Sequence, residues 1–194
     1  MTELRKGEQT KQGILKKTRR LLMTKGFHNT SISDIIAACG VKKGNLYYHF
    51  ASKEELGLAV LQDAAAEFFL LLENSLAGAN PLEKVGNSLE AILQAQRKAN
   101  FVGGCLFGNT ALEMSDSNPR FARIIRTVFD RWVDLLAGVL AQSRKKSGPL
   151  AQDPRQLAKL IVAVAEGGIM MTRVSKDGRD LRDCILSLRR LLGM

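Results

Sequence analysis

Apolar residues recur along almost the whole chain in steps of three and four positions, which is the period of an amphipathic helix. Sustained apolar and polar alternation with hairpin turns, typical of strands, is missing from the sequence. The pattern therefore predicts an all-α protein of about nine helices. The predicted helices span about residues 8–25, 32–38, 43–49, 53–77, 82–99, 104–115, 119–145, 154–174 and 179–192.

Several predicted helix starts carry capping residues. An Asn or Asp followed by proline places a side-chain oxygen at the N-cap and proline at the first helical position, where its missing N–H would be unpaired anyway. These pairs are Asn80-Pro81, Asn118-Pro119 and Asp153-Pro154. Ser31 with Asp34, and Ser52 with Glu55, have the spacing of a capping box. Gly26 is expected to end the first helix.

Residues 31–50, SISDIIAACGVKKGNLYYHF, have the pattern of two short helices joined by a tight turn. Gly40 can adopt a positive φ in that turn without steric cost. The residues expected to anchor the two helices are Ile32, Ile35, Ile36, Val41, Leu46 and Phe50. The outward positions are Lys42, Lys43, Asn45, Tyr47, Tyr48 and His49. The pattern indicates a helix-turn-helix, whose second helix enters the DNA major groove.

The net charge of +10 is concentrated at the N-terminus. Residues 1–53 contain eleven Lys and Arg but only three acidic residues. This distribution is typical of a protein that binds a polyanion, although a solvated basic helix would also produce it. An architectural or RNA-binding protein would be basic too, but it would not need the long apolar-periodic helices of the C-terminal part.

Other features argue against several classes of protein. No apolar run approaches the roughly 18 residues that span a bilayer, and the N-terminus lacks the apolar core of a signal peptide, which predicts a cytoplasmic protein. Cys39, Cys105 and Cys184 show neither disulfide nor zinc spacing and are expected to be buried hydrophobic residues. No catalytic triad, phosphate loop, dinucleotide fingerprint or metal motif is visible, so no enzyme, catalytic residue, cofactor or metal site is predicted.

The runs TSISDI and CGVKKGNLYYHFASKEEL closely resemble the TetR family of transcriptional repressors, over about residues 10–58. Ile36 and Cys39 depart from the alanines common in this family and suggest a slightly different crossing of the two short helices. The resemblance implies an N-terminal three-helix DNA-binding domain at residues 8–55 and a C-terminal helical domain at residues 56–194. The latter would bind a ligand and form a homodimer. A small-molecule inducer would release the repressor from a pseudo-palindromic operator.

The family resemblance also implies roles for single residues. Tyr47 and His49 lie at positions that contact DNA, and Lys53 opens a helix at a position that contacts phosphate. Lys43 and Asn45 have side chains suited to guanine and adenine edges. Tyr47 as a packing residue and Lys42 as a solvated one remain alternatives. The predicted DNA-binding set is Ser31, Ser33, Lys42, Lys43, Asn45, Tyr47, Tyr48, His49 and Lys53.

Dimerisation is expected through helices 154–174 and 179–192, which carry apolar residues at helical spacing. Gly167-Gly168 would permit a close backbone approach. The alternative is that these residues form the core of their own subunit. The residues concerned are Leu157, Leu160, Ile161, Val164, Ile169, Leu181, Ile185, Leu188 and Leu192.

The segment FVGGCLFGNTALEMSDSNPRF weakly resembles the ligand-domain segment of a drug-responsive branch of the family. Apolar, aromatic and sulfur-containing residues with a few polar groups suit a small-molecule cleft, although such a stripe is also typical of a helical core. The candidate ligand-binding residues are Phe101, Cys105, Phe107, Asn109, Glu113, Trp132 and Met170. A thiol-sensing repressor using Cys105 is a variant of the same hypothesis.

Overall fold

The computed structural model describes residues 6–143 and 153–193, and all regular structure within these ranges is helical. The helices are α1 Lys6–Lys25, α2 Ile32–Cys39, α3 Lys43–His49, α4 Lys53–Ser75, α5 Pro81–Lys98, α6 Leu106–Met114, α7 Pro119–Leu140, α8 Pro154–Ser175 and α9 Arg179–Leu192. The all-α prediction is confirmed. In this part of the chain, no helix is long and apolar enough to cross a bilayer.

The predicted helix ends agree with the structure to within two residues, except at α7. That helix ends at Leu140 rather than near residue 145, and residues 144–145 lie outside the described ranges. The three Asx-proline starts are confirmed, because each side chain accepts a hydrogen bond from a backbone N–H of the first turn. The bonds run from Glu83 N to Asn80 Oδ1 at 3.0 Å, from Arg120 N to Asn118 Oδ1 at 3.0 Å and from Gln156 N to Asp153 Oδ1 at 2.9 Å.

Of the two predicted capping boxes, one is complete. The Ser31 hydroxyl accepts from the Asp34 N–H at 3.0 Å, and the Asp34 carboxylate accepts from the Ser31 N–H at 2.9 Å. At the start of α4 only half of the box forms: the Glu55 N–H donates to the Ser52 hydroxyl at 3.1 Å. The Glu55 carboxylate pairs with Arg120 at 2.6 Å instead, so an ion pair replaces the second capping bond.

Contacts divide the chain into two compact units. The first contains residues up to Ala66 together with Leu106–Ile125, and the second contains Glu67–Cys105 and the residues from Arg126 onward. The domain boundary after residue 55, expected from the sequence, stays a prediction.

The core of the first unit is assembled around α1, whose inward face packs on α2. Its buried residues include Ile14, Leu15, Thr18, Leu22, Ile35, Leu46, Phe50, Leu56, Leu61 and Phe121. Of the three α2 isoleucines, only Ile35 is fully buried, whereas Ile32 and Ile36 are half-buried. A helix of eight residues presents only about two turns, which leaves its flanking positions at the edge of the interface.

The C-terminal end of α2 is attached to α1 through Cys39. The Lys17 ammonium donates to the Cys39 carbonyl at 3.3 Å, as is favourable at a helix C-terminus, and the Cys39 thiol donates to the Ile14 carbonyl at 4.0 Å. Burial raises the pKa of the Cys39 thiol. None of the three cysteines forms a disulfide, and all three are half-buried, so the expectation of full burial was wrong.

In the second unit α8 and α9 pack closely on each other, and α5 packs on α9. Gly168 permits the close approach, because a Cβ there would lie 2.8 Å from Leu181 Cδ1 and 3.2 Å from Leu181 Cα. Gly167 has open space where a Cβ would be placed. Trp132 is among the largest fully buried side chains, and its ring meets Phe68 edge to face at 5.0 Å.

The structure corrects the apolar stripe that was expected to form the dimer face. Most of these residues are buried within their own subunit, because the pairing of α8 with α9 uses the same stripe. The buried residues are Leu157, Ile161, Ile169, Leu181, Ile185, Leu188 and Leu192. Leu160 is 51% exposed and Val164 is half-buried. Any interface made by these helices must therefore use other side chains besides Leu160 and Val164.

Candidate DNA-binding interface

The turn between α2 and α3 has the geometry of a helix-turn-helix. Gly40 adopts φ +66°, and its N–H donates to the Ile36 carbonyl at 2.9 Å, which ends α2. Lys42 then occupies the N-cap of α3 in an extended conformation, without a side-chain capping bond. A turn of three residues, 40–42, therefore separates the two helices.

One face of α3 is anchored and the other is open. Leu46 and Phe50 are 1% and 6% exposed, which fixes the helix on the first unit. Lys42, Lys43 and Asn45 are exposed on its outer side. An anchored helix with short and basic polar groups on its free face has the chemistry required to contact base edges and phosphates.

The aromatic end of α3 presents different surfaces. Tyr48 is 83% exposed and Tyr47 is 42% exposed. His49 is half-buried, and its ring meets Tyr48 edge to face at 5.0 Å. The partial exposure of Tyr47 leaves both expectations for it, packing and DNA contact, compatible with the structure.

The serines at the start of α2 differ in availability. Both serines are exposed, but the Ser31 hydroxyl accepts from the Asp34 N–H and donates to its carboxylate at 2.8 Å. Lys25 forms an ion pair with Asp34 at 2.9 Å. Hydrogen bonds from Lys25 and from Ser31 hold the pKa of Asp34 well below its usual range, so the capping carboxylate is charged.

Lys53 opens α4, as expected, but its ammonium already has contacts within the unit. Nζ lies 4.5 Å from the centre of the Phe27 ring and donates to the His28 carbonyl at 3.4 Å. Burial lowers the pKa of Lys53, and the nearby Glu113 carboxylate opposes that shift. The amine keeps further N–H donors beyond the one that it gives to His28, because an ammonium carries three.

The candidate ligand-binding residues fall in both units. Phe107, Asn109 and Glu113 belong to the first unit, and Phe101, Cys105, Trp132 and Met170 to the second. Glu113 already has partners within its own unit, because both carboxylate oxygens accept backbone N–H bonds of the α1–α2 loop, from Phe27 at 2.7 Å and from His28 at 2.6 Å. Met170 is 59% exposed and therefore lies outside the core of its unit.

The remaining candidates are buried or half-buried. Phe107 is 5% exposed, and Asn109 is half-buried. The Phe101 ring lies where a Cβ on Gly178 would be, which explains the glycine. Trp132 is 2% exposed, and its indole Nε1 is buried with no partner in the described part of the chain. Across residues 6–143 and 153–193, His, Cys, Asp and Glu side chains form no group of three that could hold a metal ion.

Glu166 is a polar group of the second unit that the sequence analysis missed. Its Oε1 is buried without a hydrogen-bond partner in the described residues. Burial raises the pKa of Glu166, and a hydrogen bond with Cys105 opposes that shift. The sequence feature that could have indicated a buried acid is the single acidic residue within the apolar run of α8.

Glu166→Gln is expected to stabilise the protein, and more so at pH 8 than at pH 5. A carboxyl whose folded pKa is raised costs stability above that pKa, and the cost disappears below the unfolded pKa, where the group is protonated in both states. Chemical denaturation of both proteins at the two pH values measures the difference. An equal or larger gain at pH 5 would contradict the burial of a charged group.

Two family models and two relatives connect this geometry with known proteins. Residues 14–60 match the family of bacterial regulatory proteins, tetR family, and residues 81–185 match the C-terminal domain of LmrA/YxaF-like transcriptional regulators. The HTH-type transcriptional repressor DhaR of Mycobacterium sp. (strain GP1) is 26% identical over 175 residues, which cover 88% of this chain and 86% of DhaR. The HTH-type transcriptional regulator YxaF of Bacillus subtilis (strain 168) is 25% identical over 170 residues, covering 87% of each chain.

A solved structure agrees over almost the full length. The crystal structure of a TetR transcriptional regulator from Chloroflexus aurantiacus J-10-FL superimposes with a TM-score of 0.89 at 30% identity and covers 98% of both chains. The resemblance inferred from the sequence is thereby confirmed, as is the expectation of a regulator that is not an enzyme. The chain belongs to the TetR family of transcriptional regulators, proteins that bind DNA operators and dimerise.

Proposed function

We propose that the protein is a ligand-responsive transcriptional repressor whose homodimer binds a pseudo-palindromic operator through α3. The observation that carries the proposal is the open polar face of α3 above its buried anchors Leu46 and Phe50. Repression, rather than activation, is the activity named for the relative DhaR. The cytoplasm, where the operator DNA is accessible, is the proposed compartment.

The proposed DNA contacts divide into two kinds. Lys43 and Asn45 read base edges in the major groove, because their exposed side chains lie in the first turn of α3. Phosphate contacts are assigned to side chains around them, which fix the position of the helix. This second set is Ser31, Ser33, Lys42, Tyr47, Tyr48, His49 and Lys53.

The dimer is proposed to form through α8 and α9. These helices leave apolar side chains exposed in a single chain, and an open groove of about 410 Å³ runs between them. Exposed apolar residues around a groove suit a second copy of the same helices, related by a twofold axis. The groove is lined by Leu160, Val164, Met171, Asp180, Asp183, Cys184, Ser187, Leu188 and Leu191.

The inducer is proposed to be a small molecule that binds the C-terminal helices and lowers the affinity for the operator. Phe101, Cys105 and Trp132 are the proposed ligand contacts within the second unit. The buried indole N–H of Trp132 supports this proposal, because a ligand acceptor would satisfy a donor that lacks a partner among the described residues.

Asn45→Ala and Lys53→Ala are expected to weaken DNA binding in different ways. Asn45→Ala should cost roughly 1–3 kcal/mol on the operator, relax the base preference at one position per half-site and leave the salt dependence nearly unchanged. Lys53→Ala should weaken binding to all duplexes alike and reduce the slope of log K against log salt by about 1. The operator sequence is obtained by selecting the genomic fragments that the wild-type protein binds. The affinity of each variant for that operator and for random duplex is then measured over a series of salt concentrations.

Matched controls lie in the second unit. Asn74→Ala on α4 removes an exposed side-chain amide, as Asn45→Ala does. Lys98→Ala removes a lysine ammonium, as Lys53→Ala does, from an exposed position at the end of α5. Neither should change the affinity for the operator. If Asn45→Ala weakens operator and random duplex equally, Asn45 does not read a base, and Lys43 becomes the candidate. Selection that recovers no inverted repeat would contradict the proposed function itself.

A further inference from the structure

A carboxylate from α6 occupies the loop that joins α1 to α2. Glu113 accepts from the Phe27 N–H at 2.7 Å through Oε2 and from the His28 N–H at 2.6 Å through Oε1. Both distances are short for N–H donors, as expected where the acceptor is ionised. A side chain 85 residues away along the chain thus satisfies two successive backbone donors that follow the end of α1.

The loop depends on this carboxylate for its path. Gly26 adopts φ +84°, and a Cβ there would lie 2.8 Å from Glu113 Oε2, so the glycine provides both the turn and the room. Thr30, which is fully buried, donates its hydroxyl to the Gly26 carbonyl at 2.6 Å. Ser31 follows directly as the N-cap of α2. The Glu113 contact is therefore five residues or fewer from the start of the helix-turn-helix.

The same loop also meets the start of α4. The Phe27 ring lies 4.5 Å from Lys53 Nζ and meets the Phe121 ring edge to face at 4.9 Å. It also occupies the space where a Cβ on Gly57 would stand. The Lys53 ammonium completes the arrangement by donating to the His28 carbonyl. The loop backbone is consequently bonded to a carboxylate through its N–H groups and to an ammonium through a carbonyl.

From this geometry we infer that Glu113 is a positioning residue for DNA recognition. Its carboxylate fixes the loop at Phe27 and His28, and the fixed loop sets the placement of α2 and α3 for the operator. Glu113 itself touches no base or phosphate in this mechanism. The inference rests on the proposed binding of an operator through α3.

The sign of the effect separates positioning from simple electrostatics. Glu113→Gln removes a negative charge from a basic DNA-binding unit, and charge alone would make every duplex bind more tightly. The glutamine retains one acceptor oxygen but directs an NH₂ donor at a backbone N–H, so one of the two loop bonds is lost. A positioning role therefore predicts weaker binding to the operator although the protein has become more positive.

The experiment compares the full-length protein with Glu113→Gln, Glu113→Asp and a charge control on selected operator and on random duplex. Asp116→Asn is the control, because it removes the same charge from an exposed side chain just after α6 that has no assigned hydrogen bond or ion pair within the described ranges. Glu113→Gln is expected to lose about tenfold in operator affinity, the size of one hydrogen bond to a charged group, and to bind random duplex as tightly as the wild type or slightly more tightly. Asp116→Asn should bind both duplexes as tightly as the wild type or slightly more tightly.

Amide proton shifts, sedimentation, circular dichroism and a second variant exclude a merely structural effect. The backbone amide protons of Phe27 and His28 should resonate far downfield in the wild type and shift upfield in Glu113→Gln, while sedimentation and circular dichroism stay unchanged. Glu113→Asp keeps the charge but shortens the side chain, so it also should lose operator affinity, and it decides the question if the glutamine variant does not fold.

Operator binding by Glu113→Gln or Glu113→Asp that equals or exceeds the wild type would overturn the inference and leave the proposed function intact. A wild-type protein that selects no operator would contradict the proposed function instead. The two failures are therefore distinguishable in one set of titrations.

Discussion

Leu160→Glu is expected to convert the homodimer into monomers and to lower operator affinity roughly 100-fold or more. Leu160 is 51% exposed on α8, so a single chain tolerates the charge, whereas the proposed dimer would bury it beside the apolar groove. An unpaired buried charge costs about 3–5 kcal/mol, and a twofold axis introduces two of them. Sedimentation at several protein concentrations and operator titration measure the two effects.

Leu112→Glu is the matched control for this interface. Leu112 is 88% exposed on α6 in the first unit, so the same substitution there should leave the dimer intact. Leu188 is not a suitable probe although it also lines the groove, because it is 2% exposed and supports the fold of its own subunit. A Leu160→Glu protein that sediments as an intact dimer would place the interface on another surface.

Trp132→Ala is expected to lower the free energy of unfolding by about 3–5 kcal/mol, the usual cost of removing a large buried side chain. The residue is 2% exposed, and its ring makes an edge-to-face contact with Phe68 at 5.0 Å. Far-UV circular dichroism in a denaturant series measures the loss without relying on tryptophan emission.

Trp132→Phe provides the comparison for that measurement. It keeps an aromatic ring opposite Phe68 and deletes an indole N–H that has no partner in the described part of the chain, so its cost should be well below that of alanine. Equal losses for the two variants would mean that the aromatic contact contributes little to stability.

The positions of the helices were predictable because their signals are local. Asn80 and Asp153 cap helices within three residues of their own position, and Gly40 ends α2 through its backbone conformation. The outward face of α3 was predictable for the same reason, because a seven-residue helix with Leu46 inside leaves few choices for Lys43 and Asn45.

The partners of side chains distant in sequence were not predictable. Glu113 looked like a polar group for a ligand, since nothing near it in sequence indicates the amides of Phe27 and His28. Leu188 looked like an interface residue, because helical periodicity marks an apolar face but does not say whether the same chain or a second copy covers it. The Glu55 carboxylate pairs with Arg120 instead of completing the capping box, and nothing near Glu55 in the sequence indicates that partner.

The placement of the aromatic residues has an optical consequence. Both tyrosines of the chain, Tyr47 and Tyr48, lie on α3, and the single tryptophan, Trp132, is buried in the other unit. Excitation at the red edge of the absorption band, where only indole absorbs, therefore reports on the second unit alone. The tyrosine part of the emission reports on the recognition helix. An unlabelled sample titrated first with operator and then with a small molecule would thus show the two events in separate spectral channels.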